Sequence, residues 1–450
     1  MRKIRIVGSG PTGALLALLL ERRGAAQVEL YESRPDLRTA AAESGRSINL
    51  ALADRGIHAL KVAGVLEALG SAMLPMRGRL IHHANGQTSF QPYGQRPNEV
   101  IFSVSRQRLN QVLLEVAARQ AGIQMHFEHR FEAADFAAGT ARIRDLGRNR
   151  LLSVPMQPLL AADGAGSAMR REMSALHLID ARETDLEHGY KELSIPALGR
   201  RGFSMASDAL HIWPRGNFML IALPNEDGSF TATLFLPKRG AHSFESLRDS
   251  QAIDRFISRE FSDARELMPD CIEEFMAHPV GFLGTVSATP WHVRGLAALI
   301  GDSAHAMVPF HGQGMNCCFE DCVEFAACVA RHSSWDAAFA EFGAARKPNT
   351  DAVAAMALEN YLEMRERVAD PKFQLQQALS LELERRFPRL FIPRYSMVMF
   401  HHEISYVEAQ RRGAIQTAIL AELTAGAVAA LADVDFERAA SAISARLSPV

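Results

Sequence analysis

The first thirty positions combine apolar runs and a glycine-rich turn in a pattern that predicts a strand, a helix and a second strand. Ile4 to Val7 is a short apolar run, Ala14 to Arg23 has helical apolar spacing, and Val28 to Tyr31 is a second apolar run. The turn GSGPTG joins the first run to the helix, and Gly24 ends the helix. This pattern predicts a βαβ unit that binds a dinucleotide.

Four residues of this unit each have a separate physical reason for their place in a dinucleotide site. Gly8 permits the tight turn, Gly10 lets a pyrophosphate reach the helix N-terminus, and Gly13 lets the helix pack closely on the strand. Glu32, at the end of the second strand, is placed to bind the ribose hydroxyls. A glycine-rich turn alone is also compatible with an ordinary core, but strand, helix, second strand and acidic residue together favour the dinucleotide.

A second glycine-rich stretch, GDSAHAMVPFHGQGMN, occupies 301–316, between the apolar run Leu296 to Ile300 and the amphipathic segment Asn316 to His332. Asp302 follows a predicted strand end, where a carboxylate can accept hydrogen bonds from sugar-like hydroxyls. The helix that begins here presents unpaired N–H groups and the positive end of its dipole, which suit an anion. An ordinary glycine-rich turn between a strand and a helix is the alternative.

Two more segments favour FAD over NAD as the dinucleotide. The residues GRSINL at 45–50 follow the second strand, and DGAGSAMR at 163–170 follows an apolar run that ends at Ala162. With Gly301 and Asp302 they fit one elongated cofactor that threads several loops. An NAD dehydrogenase needs no second Gly-Asp turn so far along the chain.

The middle of the chain predicts antiparallel strands, and the end predicts helices. Strands are expected over Leu210 to Pro214, Asn217 to Pro224 and Ser229 to Pro237, with Gly216 in the first turn and the residues NEDG in the second. Helical apolar spacing follows over 316–332, 336–347, 350–368, 373–387 and 404–432.

One face of the central strand is apolar. Met219, Ile221 and Leu223 point to the same side, because side chains alternate along a strand. Either this face packs on its own core, or it forms an apolar platform over an aromatic ligand, with Phe235 on the neighbouring strand.

Composition excludes several classes of function. The 450 residues carry a formal net charge of −2, which gives no electrostatic case for a nucleic-acid partner. The five cysteines form no CxxC pair and the 16 histidines form no HExxH motif, so no metal site is expected. The cysteine pattern instead leads us to expect a reducing, cytoplasmic compartment. No signal peptide is expected, because the apolar start at Ile4 to Leu20 turns through glycines in a nucleotide-binding pattern. No membrane span is expected, because Ala414 to Ala432 is interrupted by Gln416, Glu422 and Gly426.

Three motifs, GxGxxG, DGxxSxxR and GDSAHxMxPFxGQGMN in that order, resemble the class A flavoprotein monooxygenases of the aromatic-hydroxylase type. Further stretches resemble one family of this class, kynurenine 3-monooxygenase, in its soluble bacterial form. These stretches are GRSINLALADRG at 45–56, PMRGRLIHH at 75–83, SVSRQRLNQVLL at 103–114, EHGYKEL at 187–193, LHIWPRGNFMLIALPNEDGSFTATLFLP at 210–237, MALENYLEM at 356–364 and FIPRYSM at 391–397. Eukaryotic members carry a C-terminal membrane anchor, which 433–450 does not resemble.

The resemblance implies an α/β fold, α+β overall, with a Rossmann-like FAD-binding domain of the aromatic-hydroxylase type. It also implies an inserted antiparallel sheet that binds substrate and a helical C-terminal part over the active site. We expect the FAD-binding domain over 1–75, 98–180 and 280–335. The sheet domain is expected over 76–97 and 181–279, and the helical part over 336–450.

The resemblance further implies the reaction. NADPH reduces bound FAD, the reduced flavin takes up O2 as a C4a-hydroperoxide, and one oxygen passes to the ring of L-kynurenine, giving 3-hydroxykynurenine in tryptophan catabolism and NAD biosynthesis. Two alternatives stay open: a class A hydroxylase of another aminoaromatic acid, and a flavin reductase of similar fold that does not oxygenate. The oligomeric state and the NADPH-binding residues also stay open.

The resemblance assigns binding residues and no catalytic side chain beyond the flavin. The substrate carboxylate is expected on Arg79, Tyr93, Asn360 and Tyr395, since a guanidinium offers a planar fork to a carboxylate. The other substrate-binding residues expected are Met364, Phe235, Ile221, Leu223, Pro309, Phe310 and His311. The FAD-binding residues expected are Gly8, Gly10, Thr12, Gly13, Glu32, Arg34, Ala51, Arg106, Asp163, Asp302, Gly314, Met315 and Asn316.

Overall fold

The computed structural model describes residues 2–24, 26–39, 49–367 and 370–449, so the predicted GRSI at 45–48 lies outside the described residues. The chain divides into two compact units. Unit 1 comprises Met1–Met73, Val104–Leu186 and Leu283–Ala354, and unit 2 comprises Leu74–Ser103, Glu187–Phe282 and Ala355–Val450. The three-part division expected from the sequence, with a helical part over the active site, stays a prediction.

The strands and helices are as follows in chain order. The strands are β1 (Arg2–Val7), β2 (Ala26–Tyr31), β3 (Asn49–Leu52), β4 (Leu74–Met76), β5 (Gly78–His82), β6 (Thr88–Pro92), β7 (Ile101–Ser105), β8 (Ile123–His126), β9 (His129–Asp135), β10 (Thr140–Asp145), β11 (Arg150–Pro155), β12 (Leu159–Ala161), β13 (Asp180–Asp185), β14 (His188–Ile195), β15 (Ala209–Pro214), β16 (Met219–Pro224), β17 (Phe230–Pro237), β18 (Gly284–Thr289), β19 (His292–Val293) and β20 (Ala297–Leu299). The helices are α1 (Pro11–Arg22), α2 (Asp54–Val62), α3 (Leu66–Leu69), α4 (Arg106–Ala117), α5 (Ala168–Ala175), α6 (Ser250–Glu260), α7 (Ser262–Leu267), α8 (Cys271–Ala277), α9 (Asp302–His305), α10 (Gly314–Arg331), α11 (Trp335–Leu362), α12 (Pro371–Arg386), α13 (Arg394–Phe400), α14 (Tyr406–Leu423) and α15 (Phe436–Arg446). A π-helical turn at Glu363–Arg367 follows α11.

Unit 1 is built on a six-stranded sheet in the order β19-β20-β12-β1-β2-β8. All of these strands except β19 run parallel: Val7 pairs with Tyr31 on one side and with Ala161 on the other, and Ala161 pairs with Leu299. The carboxyl ends of parallel strands lie at one edge of a sheet. The polar turns after β1, β12 and β20 therefore meet at one edge, which we call the cofactor edge.

Unit 2 contains a second six-stranded sheet, in the order β14-β17-β16-β15-β5-β6. One face packs on α6, α7 and α8 through a core that includes Leu220, Ala222 and Leu234. Because side chains alternate along a strand, Ile221 and Leu223 lie on the opposite face, which is not part of this core. The three strands predicted for 210–237 are present as β15, β16 and β17.

The C-terminal helices differ from the sequence prediction in three places, and one of them is α13, a helix that the sequence pattern did not predict. The predicted helices 336–347 and 350–368 form the single helix α11 with Pro348 inside it. A proline removes one N–H donor, and buried residues on both sides, such as Phe342 and Val353, hold the helix together. The predicted helix 404–432 was wrong beyond Leu423: Gly426 has φ +69°, which ends regular helix, and α15 follows after a turn.

The α/β class, with several sheets and a helical C-terminal region, is confirmed. Across the parts of the chain that the structure describes, no helix combines the length and the apolar character needed to cross a membrane.

Candidate active site

The glycine turn after β1 is shaped by close packing at two positions and by open space at a third. A Cβ on Gly8, where φ is +96°, would lie 2.3 Å from the Ala162 carbonyl oxygen, and one on Gly13 would lie 1.9 Å from the Gly8 carbonyl oxygen. A Cβ on Gly10 would meet no described atom within 4 Å. Gly10 precedes α1, whose first turn has neither a capping side chain nor an acidic residue among the described contacts. The helix N-terminus is therefore open to an anion.

Glu32 is a fixed carboxylate at the end of β2. It is 6% exposed, and Oε2 accepts hydrogen bonds from the Ser9 amide at 2.9 Å and the Ser9 hydroxyl at 3.0 Å. Oε1 accepts from the amide of Arg34 at 2.9 Å and from its Nε at 3.0 Å. Burial alone would raise the pKa of Glu32, but the hydrogen bonds from Arg34 and Ser9 lower this pKa to about 2. Glu32 is therefore ionised at neutral pH, with Arg34 as its partner.

Asp163 offers an unsatisfied acceptor at the cofactor edge. Its Oδ2 accepts hydrogen bonds from the amides of Ala168 at 2.8 Å and Met169 at 3.3 Å. Its buried Oδ1 has no hydrogen-bond partner among the residues that the structure describes. Burial raises the pKa of Asp163. A buried polar atom without a partner costs free energy, so this oxygen fits a hydroxyl or N–H donor from a bound molecule.

Gly301, the residue before Asp302, lies against the first turn of α1, although the two are far apart in the sequence. A Cβ on Gly301, where φ is +67°, would lie 3.0 Å from both the Thr12 side chain and the Cys318 Sγ. The Cys318 thiol donates to Asp302 Oδ1 at 3.5 Å, and the Asp302 side chain stays partly exposed. The structure therefore brings Thr12 close to the turn that carries Asp302.

Helix α10 begins at Gly314 with Met315 in its first turn, and no acidic residue lies there. Asn316 is fully buried and its amide is engaged by the protein: Oδ1 accepts from the Ala53 amide at 2.9 Å, and Nδ2 donates to the carbonyls of Ala51 and Gly312 at 2.8 Å each. Asn316 thus holds the end of β3 and the residue after it, Ala53, against the start of α10. Their contact with a cofactor stays a prediction.

A buried ionic network, which sequence reasoning missed, links α9, α10, α11 and α2. Its hub is Asp321, 0% exposed, which accepts from His305 Nε2 at 2.5 Å and from Arg346 Nε at 2.6 Å. Arg346 also pairs with Glu320 at 2.8 Å, and Glu320 pairs with the buried Arg55 of α2 at 2.7 Å. The signal in the sequence was the pair of adjacent acids inside the apolar stretch CCFEDCVEF.

The same place could be mistaken for a metal site. Ligand atoms of His305, Cys317 and Asp321 lie within 4.8 Å of one another. The guanidinium of Arg346 already lies among them, since its Nη2 is 3.4 Å from the Cys317 sulfur. The positive charge that balances Asp321 is therefore an arginine of the chain itself.

Arg106, the remaining predicted FAD ligand, is the exposed first residue of α4, and its role stays a prediction. Pro309, Phe310 and His311 form a short 3-10 turn in unit 1. Phe310 and His311 are buried, while Pro309 is exposed. Their place beside a substrate also stays a prediction.

Arg79 in unit 2 lies beside a stacked pair of tyrosines. Its guanidinium carbon is 4.9 Å from the ring centre of Tyr395 and 5.7 Å from that of Tyr93, and the two rings stack 5.6 Å apart with an interplanar angle of 16°. Arg79 is 6% exposed, and its Nε has no hydrogen-bond partner in the described part of the chain. Burial raises the pKa of both tyrosines, so they stay protonated donors at neutral pH. This arginine cluster suits a carboxylate.

The predicted apolar residues share a sheet face with Arg79. Arg79 pairs with Leu210 of β15, and Ile212 of β15 pairs with Ile221 of β16. Paired residues point to the same side of a sheet. Leu223 lies two positions from Ile221, and Phe235 pairs with Met219 on that same side. Their role as a platform for an aromatic ring stays a prediction.

The end of α11 supplies the other predicted residues of unit 2. Asn360 and Met364 are both buried, and the Asn360 amide donates to the Met364 sulfur at 3.4 Å. Glu363, between them, was missed. It lines the same cavity as Arg79, and burial raises its pKa, although the charge of Arg79 acts in the opposite direction. The sequence ALENYLEM contains this acid next to Met364, which could have drawn attention to it.

Comparison with known proteins assigns the family. A family model of the FAD binding domain matches residues 1–338. The kynurenine 3-monooxygenase of Stenotrophomonas maltophilia (strain K279a) is 48% identical over 425 residues, which are 94% of this chain and 93% of the relative. That of Xanthomonas campestris pv. campestris (strain 8004) is 47% identical over 449 residues, 100% of this chain and 98% of the relative.

This chain belongs to the kynurenine 3-monooxygenase family. The resemblance drawn from its motifs is confirmed, and so are an enzyme of the FAD-dependent monooxygenase class and FAD as its cofactor.

Solved structures show the same fold at lower identity. 2-Methyl-3-hydroxypyridine-5-carboxylic acid oxygenase has a TM-score of 0.65 and 18% identity, over 85% of this chain and 98% of that chain. A probable FAD-dependent monooxygenase of Pseudomonas aeruginosa has a TM-score of 0.64 and 21% identity, over 81% of this chain and 97% of that chain. These two confirm the fold class of the family.

The residues at the cofactor edge fit FAD. Open space beside Gly10 and the N-terminus of α1 suit a pyrophosphate. The unpaired Oδ1 of Asp163 and the partly exposed carboxylate of Asp302 suit hydroxyl groups. Glu32 lies at the end of β2, where a ribose is expected.

Asp302→Ala should weaken FAD binding at least roughly tenfold, because a hydrogen bond to a charged group contributes about 1.5–3 kcal/mol. Titration of the apoprotein with FAD, followed by the quenching of flavin fluorescence, measures the effect. Asp336→Ala, an exposed acid at the start of α11, serves as the control and should bind FAD as wild type does. Equal FAD affinity in Asp302→Ala and wild type would show that Asp302 points elsewhere.

Proposed function

We propose that this enzyme hydroxylates L-kynurenine to 3-hydroxykynurenine with NADPH and O2. One oxygen atom enters the ring and the other leaves as water, while NADPH and one proton supply the two electrons and two protons. The observation that carries the substrate assignment is Arg79, buried beside Tyr93 and Tyr395 with an Nε that lacks a partner among the described residues. Bound FAD supplies the activation of O2.

The first task of the chain is to bind the amino-acid end of the substrate. The guanidinium of Arg79 would pair with the carboxylate, and the two phenols would donate to it, since burial keeps both protonated. The burial of Arg79 strengthens this pair, because a charge pair removed from water is screened less.

The second task is to hold the aromatic ring. Ile221, Leu223 and Phe235 would cover it, since they share the sheet face of Arg79 and lie outside the unit 2 core. The amino group of kynurenine already activates its ring, so this proposal needs no strong protein base. The N-terminus of α10, with no acid in its first turn, would stabilise negative charge on a reduced flavin.

The test is the product. Purified enzyme is incubated with L-kynurenine, NADPH and O2, and the product is compared with authentic 3-hydroxykynurenine by chromatography and mass. Oxygen uptake equal to product formed is expected. Oxygen uptake without hydroxylated product, or NADPH oxidation stimulated by anthranilate or 4-hydroxybenzoate but not by L-kynurenine, would contradict the proposal.

A cytoplasmic location and a partner set limited to small molecules belong to the same proposal. All five cysteines are free and buried, which suits a reducing compartment. The formal net charge of −2 gives no electrostatic support for nucleic acid as a partner.

A further inference from the structure

Arg79 lies at the boundary between an apolar and a polar half of one sheet face. On one side of β5 the order of strands is β15, β16 and β17, which bring Leu210, Ile221 and Phe235 to this face. On the other side is the edge strand β6, where Gln91 pairs directly with Arg79. A ligand held by Arg79 therefore has an apolar surface on one side and a polar one on the other.

A cavity of about 300 Å³ occupies the polar side. Apolar side chains line part of it, and the polar part of the lining includes, besides Arg79 and its two tyrosines, amides and hydroxyls from β6, α12 and the start of α13. They are Ser89, Gln91, Gln374, Gln377, Ser380 and Ser396. A purely apolar group would offer these polar side chains no hydrogen bond. The cavity therefore fits a polar group with both donors and acceptors.

Two of its polar atoms are buried and lack a partner within the described ranges. One is a donor, the Nε of Arg79, and the other is an acceptor, the Oε1 of Gln91. Their residues are direct cross-strand partners, and the Cβ atoms of such partners lie about 4.5–5.5 Å apart. An α-amino acid carries a carboxylate and an ammonium on one carbon, so it presents complementary groups to a donor and an acceptor on neighbouring side chains.

We propose that Gln91 accepts a hydrogen bond from the α-ammonium of the substrate while Arg79 binds its carboxylate, so that Gln91 selects α-amino acids over simple carboxylic acids. This inference rests on the proposed function and names a specificity residue for it.

The test compares L-kynurenine with 4-(2-aminophenyl)-4-oxobutanoate, which has hydrogen in place of the α-ammonium. The ratio of kcat/KM values for the two compounds is measured in wild type and in Gln91→Leu. Gln91→Leu should lower this ratio roughly tenfold or more, by slowing L-kynurenine alone. Gln91→Glu has the same shape and a stronger acceptor, so it should keep or raise the ratio.

Two other variants make the assignment specific. Gln377→Leu makes the same change on the α12 side of the cavity and should leave the ratio unchanged. Glu363→Gln should also leave most of the ratio in place. The inference is overturned if Gln377→Leu or Glu363→Gln lowers the ratio as much as Gln91→Leu does, or if Gln91→Glu behaves like Gln91→Leu.

Calorimetric Kd values for the two compounds separate this inference from the proposed function. If wild type turns over neither compound, the proposed function fails. The ratio of the Kd values still tests whether Gln91 selects for the α-ammonium. A Kd ratio and a kcat/KM ratio that Gln91→Leu leaves unchanged would overturn the role of Gln91, even if L-kynurenine proves to be the substrate. FAD content equal to wild type confirms that each variant is folded.

Discussion

Arg79→Ala is expected to lower kcat/KM for L-kynurenine roughly 30-fold or more, while FAD stays bound. Truncating one partner of a desolvated charge pair costs about 2–5 kcal/mol, because the other charge is left unpaired, and about 1.4 kcal/mol corresponds to a factor of ten. The burial of Arg79 at 6% exposure places it in this class and not among surface ion pairs. Steady-state kinetics with L-kynurenine, together with FAD content, measure the effect.

The comparison with other variants makes this expectation specific. Arg79→Lys should recover only part of the loss, since an ammonium cannot form the planar fork. Arg77→Ala changes an exposed arginine just before the same strand and should behave as wild type does. If wild type and Arg79→Ala discriminate equally between L-kynurenine and its decarboxylated amine, Arg79 does not bind the carboxylate. Arg394, which pairs with Glu359 at 2.6 Å, would then be the next arginine to test.

The parts of the site that the sequence predicted are those with a local signature. Gly8 and Gly13 follow a strand and open a helix, so their spacing alone indicates the close contacts that the structure shows. Asp163 and Asp302 each follow an apolar run, and parallel strands bring their carboxyl ends to one edge without further information. The family motif around Arg79 supplied the rest.

The parts that were missed depend on contacts between distant segments. The Asn316 amide joins residues more than 260 positions apart in the chain, and no periodicity predicts which carbonyl it meets. The direction of the Glu363 side chain depends on the π-helical turn that follows α11, and regular helical spacing does not predict that direction. The helix predicted over 404–432 failed because apolar spacing continued past a glycine turn that only the backbone reveals.

The ionic network around Asp321 shows what such a contact does. It joins α9, which begins at Asp302, to α10 and α11, and through Glu320 and Arg55 it also reaches α2. Asp302 and the start of α10 are both expected cofactor residues. We therefore expect the network to fix the position of the FAD-binding turns, and its loss to affect folding and FAD binding together.

Asp321→Asn should lower the free energy of unfolding by about 3–5 kcal/mol, because breaking one partner of a buried ion pair leaves the other charge without compensation. Burial raises the pKa of Asp321, but the nearby His305 and Arg346 outweigh it and leave this pKa below the usual value. A group with a lowered folded pKa stabilises the fold above its unfolded pKa and loses that contribution as pH falls through the folded pKa. The difference between wild type and Asp321→Asn should therefore be full at neutral pH and shrink at acid pH.

Glu324→Gln is the matched control, since it makes the same chemical change on α10 in an acid that pairs with Arg331 at the surface. An exposed pair of this kind contributes about 0–1 kcal/mol. Unfolding by urea, with and without FAD, measures both effects, because a ligand adds stability in proportion to the logarithm of its concentration over Kd.

The double variant Asp321→Leu with Arg346→Met should regain stability, because a buried ion pair can often be replaced by apolar residues. It should not regain full FAD affinity, because His305 on α9 then lacks its acceptor. Full recovery of both would show that the network stabilises the fold and plays no part in placing the Asp302 turn.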